Sequence, residues 1–139
     1  MNLQLIFRTA IVIDLVFAFA FVFVDIYLID TLPQLLQDYL LWEQNQKITS
    51  IDLSIMGTVL LLAIVHIVAS ISLILLQPWA KKPYIFTGGF LLLAIPFYGP
   101  TVEHAFTSTI GGISSTLFGV ILTMLLLCNV LPSKEMAKK

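Results

Sequence analysis

The sequence is poor in charge. Asp, Glu, Lys and Arg make up only 11% of its 139 residues, where a soluble domain carries about one-quarter. With 59% hydrophobic residues and a mean hydropathy of +1.02, that scarcity argues against a soluble domain and predicts a polytopic membrane protein. Cysteine is scarcer still. Cys128 stands alone, which excludes dithiol–disulfide chemistry within the chain. A lone cysteine late in an apolar run is expected to be a small, buried packing residue. A net charge of −1 without any basic run excludes a nucleic-acid surface. There is no internal repeat, no low-complexity tract and no local motif for a serine–histidine–acid set, so nothing positive points to catalysis.

Histidine is also rare. The two, His66 and His104, fall at depths about 17–18 Å apart when residues are counted from span midpoints at about 1.5 Å each. Two imidazoles on one haem iron must face each other, so the depth difference argues against intramolecular haem ligation. One histidine beside two carboxylates is a weak metal set. No cofactor and no metal are expected.

What the chain does have is long apolar runs. A membrane helix needs about 20 apolar residues, and four such runs fit: about 5–28, 51–76, 84–105 and 107–131. The expectation is an all-α membrane protein, one domain over 1–139, with a four-transmembrane-helix bundle. Arg8, an apolar run and Ala18-Phe19-Ala20 resemble a secretory leader, but the segment is expected to be retained as span one. Between spans one and two, Leu32, Leu35, Leu36, Tyr39 and Leu40 recur at helical spacing, opposite Gln34, Gln37 and Asp38. This predicts a short amphipathic helix over about 32–42, either lying flat at the interface or capping the bundle. Thr31 is expected to cap it, with Pro33 in its first turn.

Orientation follows from the cations. Arg8, Lys81, Lys82, Lys134, Lys138 and Lys139 fall on one side of this layout and only Lys47 on the other. The bias places both termini in the cytoplasm of a plasma or inner membrane. Trp79 and Tyr84 then read as inner interfacial aromatics, and Tyr27, Trp42 and Tyr98 as outer ones. In span count and termini the layout resembles tetraspanin-type and claudin-type proteins, without the outer-loop cysteines of those families. It is similar in size to small multidrug-resistance transporters, without their glutamate in span one.

The ionisable groups inside the spans are few and therefore informative. Asp14 and Asp25 are eleven residues apart, about three turns plus 20°, so they share one face of span one. Depth counting separates them: Asp14 lies near mid-membrane, level with His66 of span two, and Asp25 lies near the outer surface with Glu103 and His104 of span three. A charge in hydrocarbon costs about 2.5 kcal/mol or more, so Asp14 calls for a partner. The expected buried polar pair is Asp14–His66, with Arg8 as the competing partner for Asp14. Such a pair is as readily a structural register pin as a functional site. Asp25, Glu103 and His104 form either an outward-opening polar cluster beside the Pro96 and Gly99-Pro100 break, or a set of idle headgroup-level charges.

Span four carries the packing signal. Gly111, Ser115, Gly119 and Thr123 recur every four residues, a small-residue stripe that admits a close helix neighbour. That neighbour is span one or three of the same chain, a second copy, or a larger membrane protein. Three functions compete: an accessory or interaction subunit, a small transporter or proton-coupled channel built on Asp14 and His66, and a membrane enzyme or metal protein at the outer cluster. The lipid bilayer is the one certain partner in this reading.

Overall fold

A computed structural model describes residues 2–94, 105–128 and 130–131. Among the described residues the chain is all helix, with five α-helices and no strand. They are α1 (Leu3–Leu28), α2 (Gln34–Gln44), α3 (Ser50–Ile74), α4 (Lys81–Ala94) and α5 (Ala105–Leu127). Short 3-10 turns, Ile29–Thr31 and Pro78–Ala80, precede α2 and α4. Three helices are long and apolar enough to cross a membrane: α1 over Leu3–Phe21, α3 and α5. The third expected span, 84–105, is described only as far as Ala94, about 21 Å of helix from Lys81. Pro96, Tyr98, Gly99, Pro100, Glu103 and His104 lie outside the described residues.

Packing concentrates at the end of the molecule that holds the α3–α4 turn. The core is Phe7, Ala10 and Ile11 of α1, Ala69 and Leu73 of α3, Tyr84 of α4, and Phe118, Ile121, Met124 and Leu125 of α5. Each set repeats at three- and four-residue steps, one stripe per helix. α1 lies beside α5 and α3, and α4 beside α3 and α5. The other half of α3 is different. Ile51, Leu53, Ile55, Met56, Leu60, Leu61 and Ile64 are all exposed, which in water would be a large apolar liability and in hydrocarbon costs nothing.

The helix ends follow local rules, with two differences from expectation. α3 begins in a capping box: Thr49 Oγ1 accepts from Asp52 N at 3.2 Å, and Asp52 Oδ2 accepts from Thr49 N at 2.9 Å. At its other end, Gln77 N donates to Ser72 O and Leu76 N to Leu73 O, both at 2.9 Å, the Schellman pattern. The left-handed residue this requires is Leu76, at φ 57. Glycine is the usual occupant, but Leu76 packs its side chain against the core. Thr31, expected to cap α2, instead donates to Leu28 O at 2.6 Å at the end of α1. The cap position of α2 is Pro33, which has no side-chain hydrogen bond to offer.

Leu32, just before α2, and Leu36, Tyr39 and Leu40 within it are half-buried, as the spacing predicts, but Leu35 is 81% exposed and Trp42 is exposed. Two aromatics and the cysteine also part from their sequence roles. Trp79 and Tyr27 are exposed, in keeping with an interfacial place, but Tyr84 is fully buried in the core. Cys128, expected to be a buried packing residue, is exposed just past the end of α5, where the helix has stopped at Leu127.

Replacing Thr49 by Ala removes the N-cap acceptor of α3. The expected loss is about 1 kcal/mol, read as a lower midpoint in thermal unfolding of the purified chain in detergent.

Candidate functional site

The polar groups inside the described helices meet in one layer. Asp14 projects from the buried stripe of α1, one turn beyond Ala10 and Ile11, and is 5% exposed. Ser114 of α5 donates its hydroxyl proton to Asp14 Oδ1 at 2.7 Å. His66, half-buried on α3, places Nδ1 at 2.9 Å from Thr87 Oγ1 on α4. The Thr87 hydroxyl donates its one hydrogen to Pro83 O at 2.7 Å. With that hydrogen on Pro83 O, the Nδ1-protonated tautomer of His66 completes the contact by donating to Thr87 Oγ1. Ser70 adds a further bond within α3, from Oγ to His66 O at 2.8 Å.

The expected Asp14–His66 contact is thus replaced by two separate ones. Both groups lie inside the bundle, but α1 packs most closely along α5 and α3 along α4. Each takes its partner from the helix it packs on. Arg8, the competing partner for Asp14, is exposed. The count from span midpoints puts Ser114 on the outer side of centre and Asp14 on the inner side. Counted from the observed helices, each lies within about 3 Å of the middle of its own helix.

Aromatic rings join the two contacts. His66 stacks on Tyr84 with centroids 4.6 Å apart and planes at 26°. Phe118 of α5 leans against both, 5.5 Å from Tyr84 and 6.2 Å from His66. Centroid separations of about 4.5–7 Å with offset or tilted planes are the favourable range. Room for Phe118 comes from Gly88. A Cβ at that position would collide with the Phe118 ring and lie 3.1 Å from His66 Cε1.

Two buried hydroxyls make no hydrogen bond among the described residues: those of Tyr84 and Thr107. A buried donor without a partner costs about 1–3 kcal/mol, so each is conspicuous. The Tyr84 hydroxyl lies within electrostatic range of Asp14. Ser114, Thr87, Tyr84, Gly88 and Phe118 all belong to this layer, and none is marked by a sequence motif. The available signal was the buried carboxylate itself, which demands a donor from a neighbouring span.

Asp25 lies on α1; the outer cluster expected of it with Glu103 and His104 falls outside the described residues, because those two are not among them. Among the described residues no group of three His, Cys, Asp or Glu side chains is placed to hold a metal. An apolar groove of about 710 Å³ lies between α3 and α4, bordered by Ile51, Ile55, Val59, Phe90 and Leu93, and its described lining has no ionisable group.

The stripe on α5 divides. Gly111 is half-buried, and a Cβ there would meet the Phe21 ring of α1 at 3.2 Å. Ser115, Gly119 and Thr123 are exposed. A four-residue step advances about 40° beyond a full turn, so this row winds from the α1 side to the outside. A straighter row stands beside it. Thr109, Gly112, Thr116, Gly119 and Thr123 alternate four- and three-residue steps and are all exposed. Space beside Gly112 and Gly119 is open. Thr109, Thr116 and Thr123 each donate to the carbonyl four residues back at 2.9 Å, so the row asks nothing of its surroundings for hydrogen bonding.

Compared with known protein families, characterised proteins and solved structures, the chain matches none of them.

Gly88→Ala forces Phe118 off its seat against His66 and Tyr84. Overpacking of this kind costs about 1–3 kcal/mol, expected as a matching loss in unfolding stability, with Gly89→Ala, where space is open, as the tolerated control.

Proposed function

We propose that this chain is an interaction subunit of the membrane, assembling with a second copy or a larger membrane protein through the outward face of α5. The observation that carries the reading is the exposed row Thr109, Gly112, Thr116, Gly119 and Thr123. Its spacing averages 3.5 residues, the period that keeps one seam facing a partner helix in a left-handed crossing. Small residues let the two backbones approach, and dispersion contacts between them replace looser contacts with lipid. Such a role needs no catalytic motif, in keeping with a sequence that has none. The finer architecture belongs to the same proposal: α4 continues into a fourth span, both termini face the cytoplasm, and α2 lies at the outer surface.

A second reading has one observation in its favour. Asp14 is enclosed in a helix apolar enough to cross a membrane, and an intramembrane carboxylate marks ion pathways in many transporters. A small transporter or proton-coupled channel using Asp14 and His66, with Asp25, Glu103 and His104 as its mouth, takes second place, because Asp14 and His66 are bonded to different partners, Ser114 and Thr87.

Gly119→Leu and Gly112→Leu fill the seam. On native gels of mildly solubilised membranes each is expected to shift the complex to the mass of a single chain, and unchanged assembly sinks the reading. The topology has its own check in a Cys128→Ser background. Lys47→Cys should react with an impermeant maleimide on intact cells, and Lys81→Cys only after permeabilisation.

A further inference from the structure

The strongest unassigned feature is the enclosed carboxyl of Asp14 and the oxygens round it. A carboxylate in hydrocarbon needs a counter-charge or a proton, because no water is present to solvate it. The groups that face it from the packed elements can be named. α5 has no titratable side chain between Ala105 and Leu127. α3 brings His66, already bonded to Thr87, and Asp52 at its distant first turn. α4 brings Tyr84, with Lys81 and Lys82 at its start. α1 itself carries Arg8, which is exposed, and Asp25 further along the helix. Among the described residues none of the cations pairs with Asp14; its partner is the Ser114 hydroxyl.

We propose that Asp14, Ser114 and Tyr84 form an intramembrane site for one monovalent cation, a proton or a small alkali ion. Asp14 supplies the negative oxygen. Ser114 commits its hydrogen to Asp14 Oδ1 at 2.7 Å and keeps lone pairs on the same atom. Tyr84 supplies the third oxygen: it is 0% exposed, its hydroxyl has no hydrogen-bond partner among the described residues, and its ring packs 5.5 Å from Phe118, one turn along α5 from Ser114. Hard oxygen donors with one carboxylate suit a proton or an alkali ion and not a transition metal. A proton would sit on the carboxyl and bond toward Tyr84; an alkali ion would sit between the oxygens. Three helices contribute, so occupancy also ties α1 and α4 to α5. The site shares Asp14 with the transport reading but requires only that the cation bind, not that it cross. It is independent of the assembly through α5.

The test uses the full chain in nanodiscs, with dicyclohexylcarbodiimide, a lipid-soluble reagent for protonated carboxyls, and peptide mass spectrometry to locate the label. Asp14 is expected to be labelled, less as pH rises. If an alkali ion is the occupant, Li⁺, Na⁺ or K⁺ at ten times its Kd slows labelling about tenfold relative to choline at equal ionic strength. The same ion raises the melting temperature. If the proton is the occupant, labelling follows pH and ignores all three. Asp14 left unlabelled at every pH, with a melting temperature indifferent to the alkali ions, overturns the site. Tyr84→Phe is expected to weaken the ion effect, or the labelling at a given pH, about five- to tenfold, the loss of one hydrogen bond or ligand. No change in Tyr84→Phe overturns the three-oxygen arrangement. Since labelling is read on the unaltered chain, the result stands even where Asp14→Asn fails to fold, and a failed flux assay leaves it intact.

Discussion

The hydrogen bond from Ser114 to Asp14 is the contact on which the rest of the molecule depends. A buried carboxylate tolerates few arrangements, because each position of α5 that fails to present a donor leaves it unsatisfied. Sliding α5 by one residue rotates Ser114 about 100° away from α1. Apolar packing alone would not enforce this, since Ile, Leu and Phe repack against one another at small cost. With Ser114 in place, Phe118 stands one turn further along α5 and is delivered onto Gly88, Tyr84 and His66. The contact that settles α1 on α5 therefore also settles α5 on α4.

The molecule is uneven along its length, and the unevenness has a chemical reason. The carboxylate, the rings and the hydroxyls bonded beside them sit near the middles of α1 and α5, in the second half of α3 and in the first two turns of α4. There the helices must approach closely to satisfy one another's polar groups, and small residues such as Ala69, Ser70 and Gly88 permit it. The first half of α3 has branched and long apolar side chains and no ionisable group past Asp52. It has nothing to pair and lies open to lipid. The outward face of α5 is the exception, neither bulky enough to suit lipid nor covered within the chain. Its threonines satisfy themselves along the helix, which makes the face neutral toward hydrocarbon and available to a partner helix.

Much of this was legible in the residues. The apolar runs place α1, α3 and α5 within a few residues of their bounds, because length and hydropathy are local properties. The amphipathic spacing over 32–42 places α2 for the same reason. The need to bury and partner Asp14 was equally readable, since the cost of a charge in hydrocarbon does not depend on fold. The partner was not. Depth counting treats helices as upright and sequential ones as neighbours, and so favours His66. In the fold α1 runs along α5, a hundred residues away in sequence, and Ser114 of that helix faces Asp14. Tyr84 was misread through its type: an aromatic beside two lysines suits an interface, yet its ring is needed against His66 and Phe118. The stripe on α5 was seen as a four-residue row, when the row that stays on one face has a period of 3.5.

By itself, then, the sequence determined that the described chain is helical, where its three long apolar helices begin, and that one carboxyl inside them must be accounted for. These follow from composition and spacing along a single segment. Only the tertiary structure decided which hydroxyl answers Asp14, which rings enclose His66, and which face of α5 is left uncovered. Those outcomes depend on the pairing, rotation and tilt of whole helices, and a hydroxyl or a glycine carries no mark in the sequence of the helix it will meet.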